Sequence, residues 1–178
     1  MLACAGLRKM CLSTTVLVAF GTITLPTTAT AQVTAFRQAV AETAARDDTL
    51  AAFYRTRTFE GIWTGDAGLA RRTALMRALE SAPYHGLPSS RYDVDDLLSQ
   101  ITNARTPAQI GTLEVTLTKI LLQYARDVKS GVLEPRRIDS GIVRDVTYMP
   151  DEEVLAGFMA GDPTQFLRSL PPATAEYT

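Results

Sequence analysis

Thr106 to Gly131 reads TPAQIGTLEVTLTKILLQYARDVKSG, and this stretch decides the fold. Thr106 is placed to cap a helix, and Pro107 suits its first position because no hydrogen bond is asked of that nitrogen. Ile110, Leu113, Leu117, Ile120, Leu121, Tyr124 and Val128 recur at steps of three and four. That spacing puts an apolar face on one side of a helix over about five turns. Lys119, Gln123 and Arg126 fall on the other side, and Gly131 supplies a C-terminal stop. A helix this long with a core-facing stripe predicts an all-α domain: mainly helical, irregular in arrangement, with little or no sheet.

The flanks give the same reading. Thr34 to Arg57 places Phe36, Val40, Leu50, Phe53 and Tyr54 among alanines, which predicts two helices broken near Asp47 and Asp48. FEGIWTGDAG follows as a glycine-rich loop whose Ile62 and Trp63 are expected to plug the core. Leu69 to Ala82 is built of strong helix formers. Leu69, Thr73, Met76 and Leu79 form its predicted stripe, with Leu75 and Ala78 beside it and Arg71, Arg72 and Glu80 off its centre. PYHGLPSSRYD reads as a loop, and Asp93 as the cap of a helix over VDDLLSQI. Beyond the central helix, VLEPRRIDSG leads to an extended piece, IVRDVTYM. Pro150 and the acids Asp151, Glu152 and Glu153 then open a further helix, the acids complementing its dipole. Asp162 and Pro163 open the last one.

The amino terminus reads differently. Arg8 and Lys9 precede an uncharged apolar run, Met10 to Leu25, and Ala29-Thr30-Ala31 offers a small-residue cleavage site. That is the layout of a secretory signal peptide, and the run is shorter than the ~20 residues of a spanning helix, the rival reading. The expected organisation is a signal segment over 1–31 and one domain over 32–178, exported to the periplasm. Cys4 and Cys11 both lie in the signal, too early for a lipid-attachment site. The mature domain then has no cysteine and must be held by its core. Of 18 basic residues, Arg8 and Lys9 leave with the signal, so 16 remain against 19 acids. That balance argues against nucleic acid as the partner, since phosphate binding wants a basic surplus.

Residue chemistry offers few candidates. His85 is the sole histidine, and a general base would suit it. No serine or cysteine motif accompanies it in YHGLP, so a structural role is expected. Asp93, Asp95 and Asp96 lack the spacing and glycine of a calcium loop and read as helix-start acids. No cofactor and no metal is expected. Trp63 with Phe53 and Tyr54 reads as core before it reads as a sugar-stacking patch. Arg136 and Arg137, beside Glu134 and Asp139, are the one candidate docking pair, because arginine favours bidentate pairing with carboxylates. Against that stands a solvated loop with weak internal ion pairs.

Three stretches together resemble a known family. FYRTRTFEGIWTGDAGL is similar to the opening of the large, multi-domain L,D-transpeptidases of Gram-negative bacteria. LMRALESAPYHGLPSSRYD resembles their next segment, through Leu79, Ala82, His85, Gly86, Leu87, Pro88 and Tyr92. LEVTLTKILLQYARDVKSGVLEPRRID resembles their helix and turn, through Leu113, Leu117, Tyr124, Ala125, Gly131, Pro135 and Asp139. The likeness runs from about Leu50 to Tyr177. It implies the amino-terminal helical scaffold domain, which in that family precedes a peptidoglycan-binding-like module and a catalytic domain. There a cysteine in a motif like HGC performs acyl transfer through a thioester.

This sequence has no HGC, and its histidine belongs to the scaffold motif, so no catalytic residue carries over. The resemblance implies a non-catalytic scaffold segment of a peptidoglycan-cross-linking L,D-transpeptidase, in a chain shortened before the catalytic domain. Its partners would be the catalytic and peptidoglycan-binding domains, in cis or on a neighbouring chain. The alternative is a free-standing periplasmic module that binds peptidoglycan or an envelope protein. In either case LLQYARDVKSGVLEPRRID is expected to be architecture, and an apolar patch is expected beside LRSLPPATAEYT, where further domains would pack.

Overall fold

Thr106 caps the central helix as expected. Its hydroxyl accepts from the Gln109 N–H at 3.2 Å, and the Gln109 side chain reaches back to the Thr106 N–H at 3.0 Å. This reciprocal capping box satisfies two donors that would otherwise lack partners. The computed structural model describes residues 28–133 and 148–172. Within them lie seven α-helices: α1 (Thr28–Ala44), α2 (Asp48–Thr56), α3 (Gly65–Ser81), α4 (Val94–Asn103), α5 (Pro107–Ser130), α6 (Asp151–Ala160) and α7 (Pro163–Ser169). Two 3-10 turns, Ala82–His85 and Ser89–Arg91, join α3 to α4. The described residues contain no strand, and the fold is all-α.

α5 is the axis on which the other helices assemble. Leu117, Leu121, Tyr124 and Val128 of the predicted stripe are buried, whereas Ile110, Leu113 and Ile120 are half-buried. Burial extends round the helix to Val115, Leu122 and Ala125, because α5 is covered on more than one side. α1 crosses it closely at Gly111. A Cβ there would come within 2.5 Å of the Phe36 carbonyl oxygen and 2.9 Å of the Ala39 Cβ, so only glycine permits the approach. The break between the first two helices falls where predicted, with Asp47 accepting from the Leu50 N–H at 3.0 Å.

One expectation is corrected in part. α3 begins at Gly65, four residues before Leu69, and Leu69 is 59% exposed. Its buried side is Ala74, Leu75, Met76, Ala78 and Leu79: Met76 and Leu79 of the predicted stripe are buried, whereas Leu69 and Thr73 are exposed. The reason is its neighbour: α7 packs on α3, and the small Ala74 and Ala78 face Leu167. Leu167 and Leu170, in the stretch beside which an apolar patch is expected, are both buried, and 173–178 lie outside the described residues. α6 and α7 fold back on each other where the Phe166 ring lies over Gly157. Phe158 continues the seam, its ring 5.4 Å from Trp63 and 6.1 Å from Phe166. Among the described residues no helix is long and apolar enough to cross a membrane. The signal segment up to Thr27, most of IVRDVTYM and the end of the chain lie outside them. The expected cleavage point at Ala31 falls inside α1.

Candidate functional site

α5 carries two acidic side chains on its buried surface, Glu114 at 1% exposure and Asp127 at 4%. Each faces one of the loops that the sequence singled out. Burying a carboxylate is strongly unfavourable unless donors surround it, so the partners of these two define what the site does.

Glu114 holds the FEGIWT loop by its backbone. One carboxylate oxygen, Oε1, accepts from the Ile62 N–H at 2.6 Å, and Oε2 accepts from the Trp63 N–H at 3.2 Å. The carbonyls of the same two residues are taken by α3, where Arg71 donates to Ile62 O at 2.8 Å and Arg72 donates to Trp63 O. The backbone of this two-residue bend is thus satisfied by side chains on both its N–H and its carbonyl side, with no sheet to supply a ladder. Tyr54 Oη lies 3.2 Å from Glu114 Oε1 and 2.6 Å from Thr118 Oγ1. The Trp63 indole N–H donates to Thr118 Oγ1 at 2.8 Å. The chain enters this loop through Thr58 and Phe59, both left-handed at φ 52° and 57°. Desolvation pushes the Glu114 carboxyl above the ordinary glutamate value of 4.5, against the opposing pull of the two N–H groups, Tyr54 and the Arg57 charge. Burial likewise drives the Tyr54 hydroxyl upward, so it stays protonated as a donor.

Asp127 holds the HGLPSSRY loop by side chains. Arg91 Nη2 donates to Oδ1 at 3.0 Å, and Arg91 Nε and the Tyr92 hydroxyl both donate to Oδ2. The fork-on-fork geometry is the one in which arginine is strongest. The Arg91 side chain is 39% exposed, so this pair sits at the water boundary. Tyr92 then packs edge-on against Tyr124 at 6.0 Å. Gly86, at φ 72°, makes the left-handed turn that starts this loop.

The expected site residues divide as follows. Trp63 and Tyr54 are core, as expected, with Phe53 half-buried and edge-on to Tyr54 at 5.1 Å. Asp93 is an N-cap that accepts from the Asp96 N–H at 2.9 Å. Asp151 pairs with Arg126 at 3.3 Å, joining α5 to α6. His85 ends the first 3-10 turn, half-buried in the wall of a cavity of about 170 Å³ beside Tyr124 and Arg168. Arg136, Arg137, Glu134 and Asp139 lie outside the described residues. Among the described residues no three His, Cys, Asp or Glu side chains gather as metal ligands.

Sequence reasoning missed Glu114, Thr118 and Asp127. Their signal was present: Glu114 and Thr118 interrupt the apolar face between Leu113 and Leu121, and Asp127 sits next to Val128 on that face. The arrangement positions two loops rigidly on one helix. A family model described as a scaffold domain matches residues 48–178, about three quarters of the chain. No curated protein and no solved structure matches.

Proposed function

The chain belongs to the scaffold-domain family, and from that premise we propose that it is the non-catalytic scaffold segment of a peptidoglycan-cross-linking L,D-transpeptidase. The observation that carries the reading is the family match over 48–178, which takes in both acid-clamped loops and the helix that clamps them. Buried carboxylates spent on fixing loops, one by backbone and one by side chains, suit a body that must hold its shape while other domains work on it. The partners are then the catalytic and peptidoglycan-binding domains, in cis or from a neighbouring chain. Work in the periplasm follows from the Arg8-Lys9 start and the apolar run after it.

Two measurements test this. Purified protein incubated with a peptidoglycan stem-peptide donor should form no cross-linked or hydrolysed product, and turnover would overturn the non-catalytic reading. The gene region that follows codon 178 should encode a cysteine in an HGC context, in the same frame or in an adjacent one. Its absence would overturn the assignment of a transpeptidase partner encoded alongside.

A further inference from the structure

The cavity of about 170 Å³ between α3 and α7 has buried residues on one side, Ala74, Ala78 and Leu167. His85 and Tyr124 also line it. The remaining lining includes Arg77 of α3 and Arg168 of α7, and both are exposed. The cavity is therefore open to water where its two arginines stand.

Among the described residues neither arginine makes an ion pair, and none of those lining the cavity is an acid. The acid nearest to Arg77 in sequence, Glu80, lines a separate cavity with Pro83 and Asp93. The acid nearest to Arg168, Asp162, caps α7 by accepting from the Gln165 N–H at 2.7 Å. Two guanidinium charges thus share one small space with nothing on its lining to offset them, in a domain whose acids outnumber its bases. An anion supplies what is missing, and the charge count sets its class. A carboxylate carries one charge and matches one planar fork. A phosphoryl group carries nearly two charges and three acceptor oxygens that point in different directions, so it can take a fork from each helix. The Thr164 hydroxyl is a further donor on the lining, whereas that of Ser81 is spent on the Ala78 carbonyl at 2.8 Å. The cavity is smaller than the roughly 300–1,000 Å³ of sites that enclose a whole ligand. It suits the phosphoryl group, with the rest of any larger molecule outside.

We propose that the α3–α7 cavity binds a phosphoryl group between Arg77 and Arg168, either as inorganic phosphate or at the end of a phosphate ester. The site stands apart from the transpeptidase reading, since it needs only the cavity and its two arginines.

The test is a titration of isotope-labelled protein, followed by amide NMR, with inorganic phosphate, glycerol 3-phosphate and acetate. Ionic strength is held constant, and the pH is mildly alkaline so that phosphate is a dianion. Phosphate should give saturable shifts at amides of α3 and α7, and acetate should bind on the order of tenfold more weakly, the worth of one charge-assisted pair. Tighter binding of glycerol 3-phosphate than of phosphate would support the site and assign it to an ester. Equal binding would support it and assign it to the free anion. Arg77→Gln and Arg168→Gln, both at exposed positions, should each weaken phosphate by about tenfold, while Arg168→Lys keeps part of the affinity. Thr164→Glu builds the missing acid into the lining, one turn before Arg168 and in the first turn of α7, where an acid is well placed. It should abolish phosphate binding without lowering the urea midpoint, and it covers the case in which a glutamine variant is unstable. A response to phosphate that never saturates, or that acetate matches, would overturn the proposal. So would saturable shifts confined to other helices, or binding that survives Thr164→Glu.

Discussion

Glu114 and Asp127 occupy the same helix, 13 positions apart, and both hold a loop to the core, yet they do it by different chemistry. Glu114, 1% exposed, takes its hydrogen bonds from neutral groups, two backbone N–H and a tyrosine hydroxyl, with the Arg57 charge acting only at longer range. Asp127 takes a guanidinium and a tyrosine hydroxyl at the protein's edge. The first arrangement leaves a carboxyl whose ionisation is opposed by its surroundings. The second neutralises its charge with a partner that water can still reach. The FEGIWT loop is therefore tied by an interaction that nothing else can replace, and the HGLPSSRY loop by one that solvent can partly substitute.

The largest effect should come from Glu114→Ala. It strands the Ile62 and Trp63 N–H groups in the core, at about 1–3 kcal/mol each, and opens a cavity next to Trp63. The sum is roughly 4 kcal/mol, a large share of the ~5–15 kcal/mol that holds a domain together. Urea unfolding followed by Trp63 fluorescence reads it directly, as a fall in the midpoint or a failure to fold.

Glu114→Gln keeps the shape but turns one acceptor into a donor, so its loss should be smaller, about 1–3 kcal/mol. Its value lies in the pH dependence. Because the native carboxyl is raised above 4.5, the folded state holds its proton longer than the unfolded chain does. Stability from this group is complete below 4.5 and falls as pH rises through the folded-state value. Urea midpoints measured upward from pH 4 should decline in the native protein, and that part of the decline should vanish in Glu114→Gln. An unchanged slope would mean that the buried carboxyl is not what titrates.

Much of this fold is legible in the sequence and much of the site is not, for one physical reason. α5, its caps and the break at Asp47 are set by residues three or four apart, so periodicity reports them. Glu114 works through groups 51 and 52 residues away, and no local pattern encodes that distance. Arg71 and Arg72, placed off the centre of the predicted stripe, reach the carbonyls of Ile62 and Trp63 nine residues back. The stripe of α3 was legible only in part: Met76 and Leu79 are buried as expected, but Leu69 and Thr73 are exposed, because its partner, α7, packs on the alanine side. Composition showed which side chains were available, and only packing decided which face was used.

Asp127→Ala should cost less than Glu114→Ala, about 2–3 kcal/mol, since it leaves only the Tyr92 hydroxyl dry while Arg91 turns to water. Arg91→Ala should cost no more than that, about 1–3 kcal/mol: it takes the charged partner from a carboxylate that is itself only 4% exposed, and water entering where the half-exposed guanidinium stood makes up part of the loss. The ordering is the point of comparison. A double-mutant cycle in urea that gave Arg91 and Asp127 a coupling as large as the loss in Glu114→Ala would erase the distinction between the two clamps.

The smallest effect should have the opposite sign. The second loop makes its left-handed turn with Gly86, but the first makes it with Thr58 and Phe59. A β-branched residue at φ 52° crowds its Cβ against the backbone, at roughly 1–2 kcal/mol. Glycine there would relieve the crowding and lose roughly 0.5–1 kcal/mol to the freer unfolded chain. Thr58 is exposed, and its hydroxyl donates only to the Arg57 carbonyl, so little packing is lost with the side chain. Thr58→Gly should thus raise the urea midpoint by the equivalent of about 0.5 kcal/mol. In a Glu114→Gln background the gain should persist, because the strain lies in the turn and not in the clamp. A gain that disappears there would mean that the carboxylate enforces the left-handed turn, and the two loops would then differ in backbone strain for the same reason that they differ in charge.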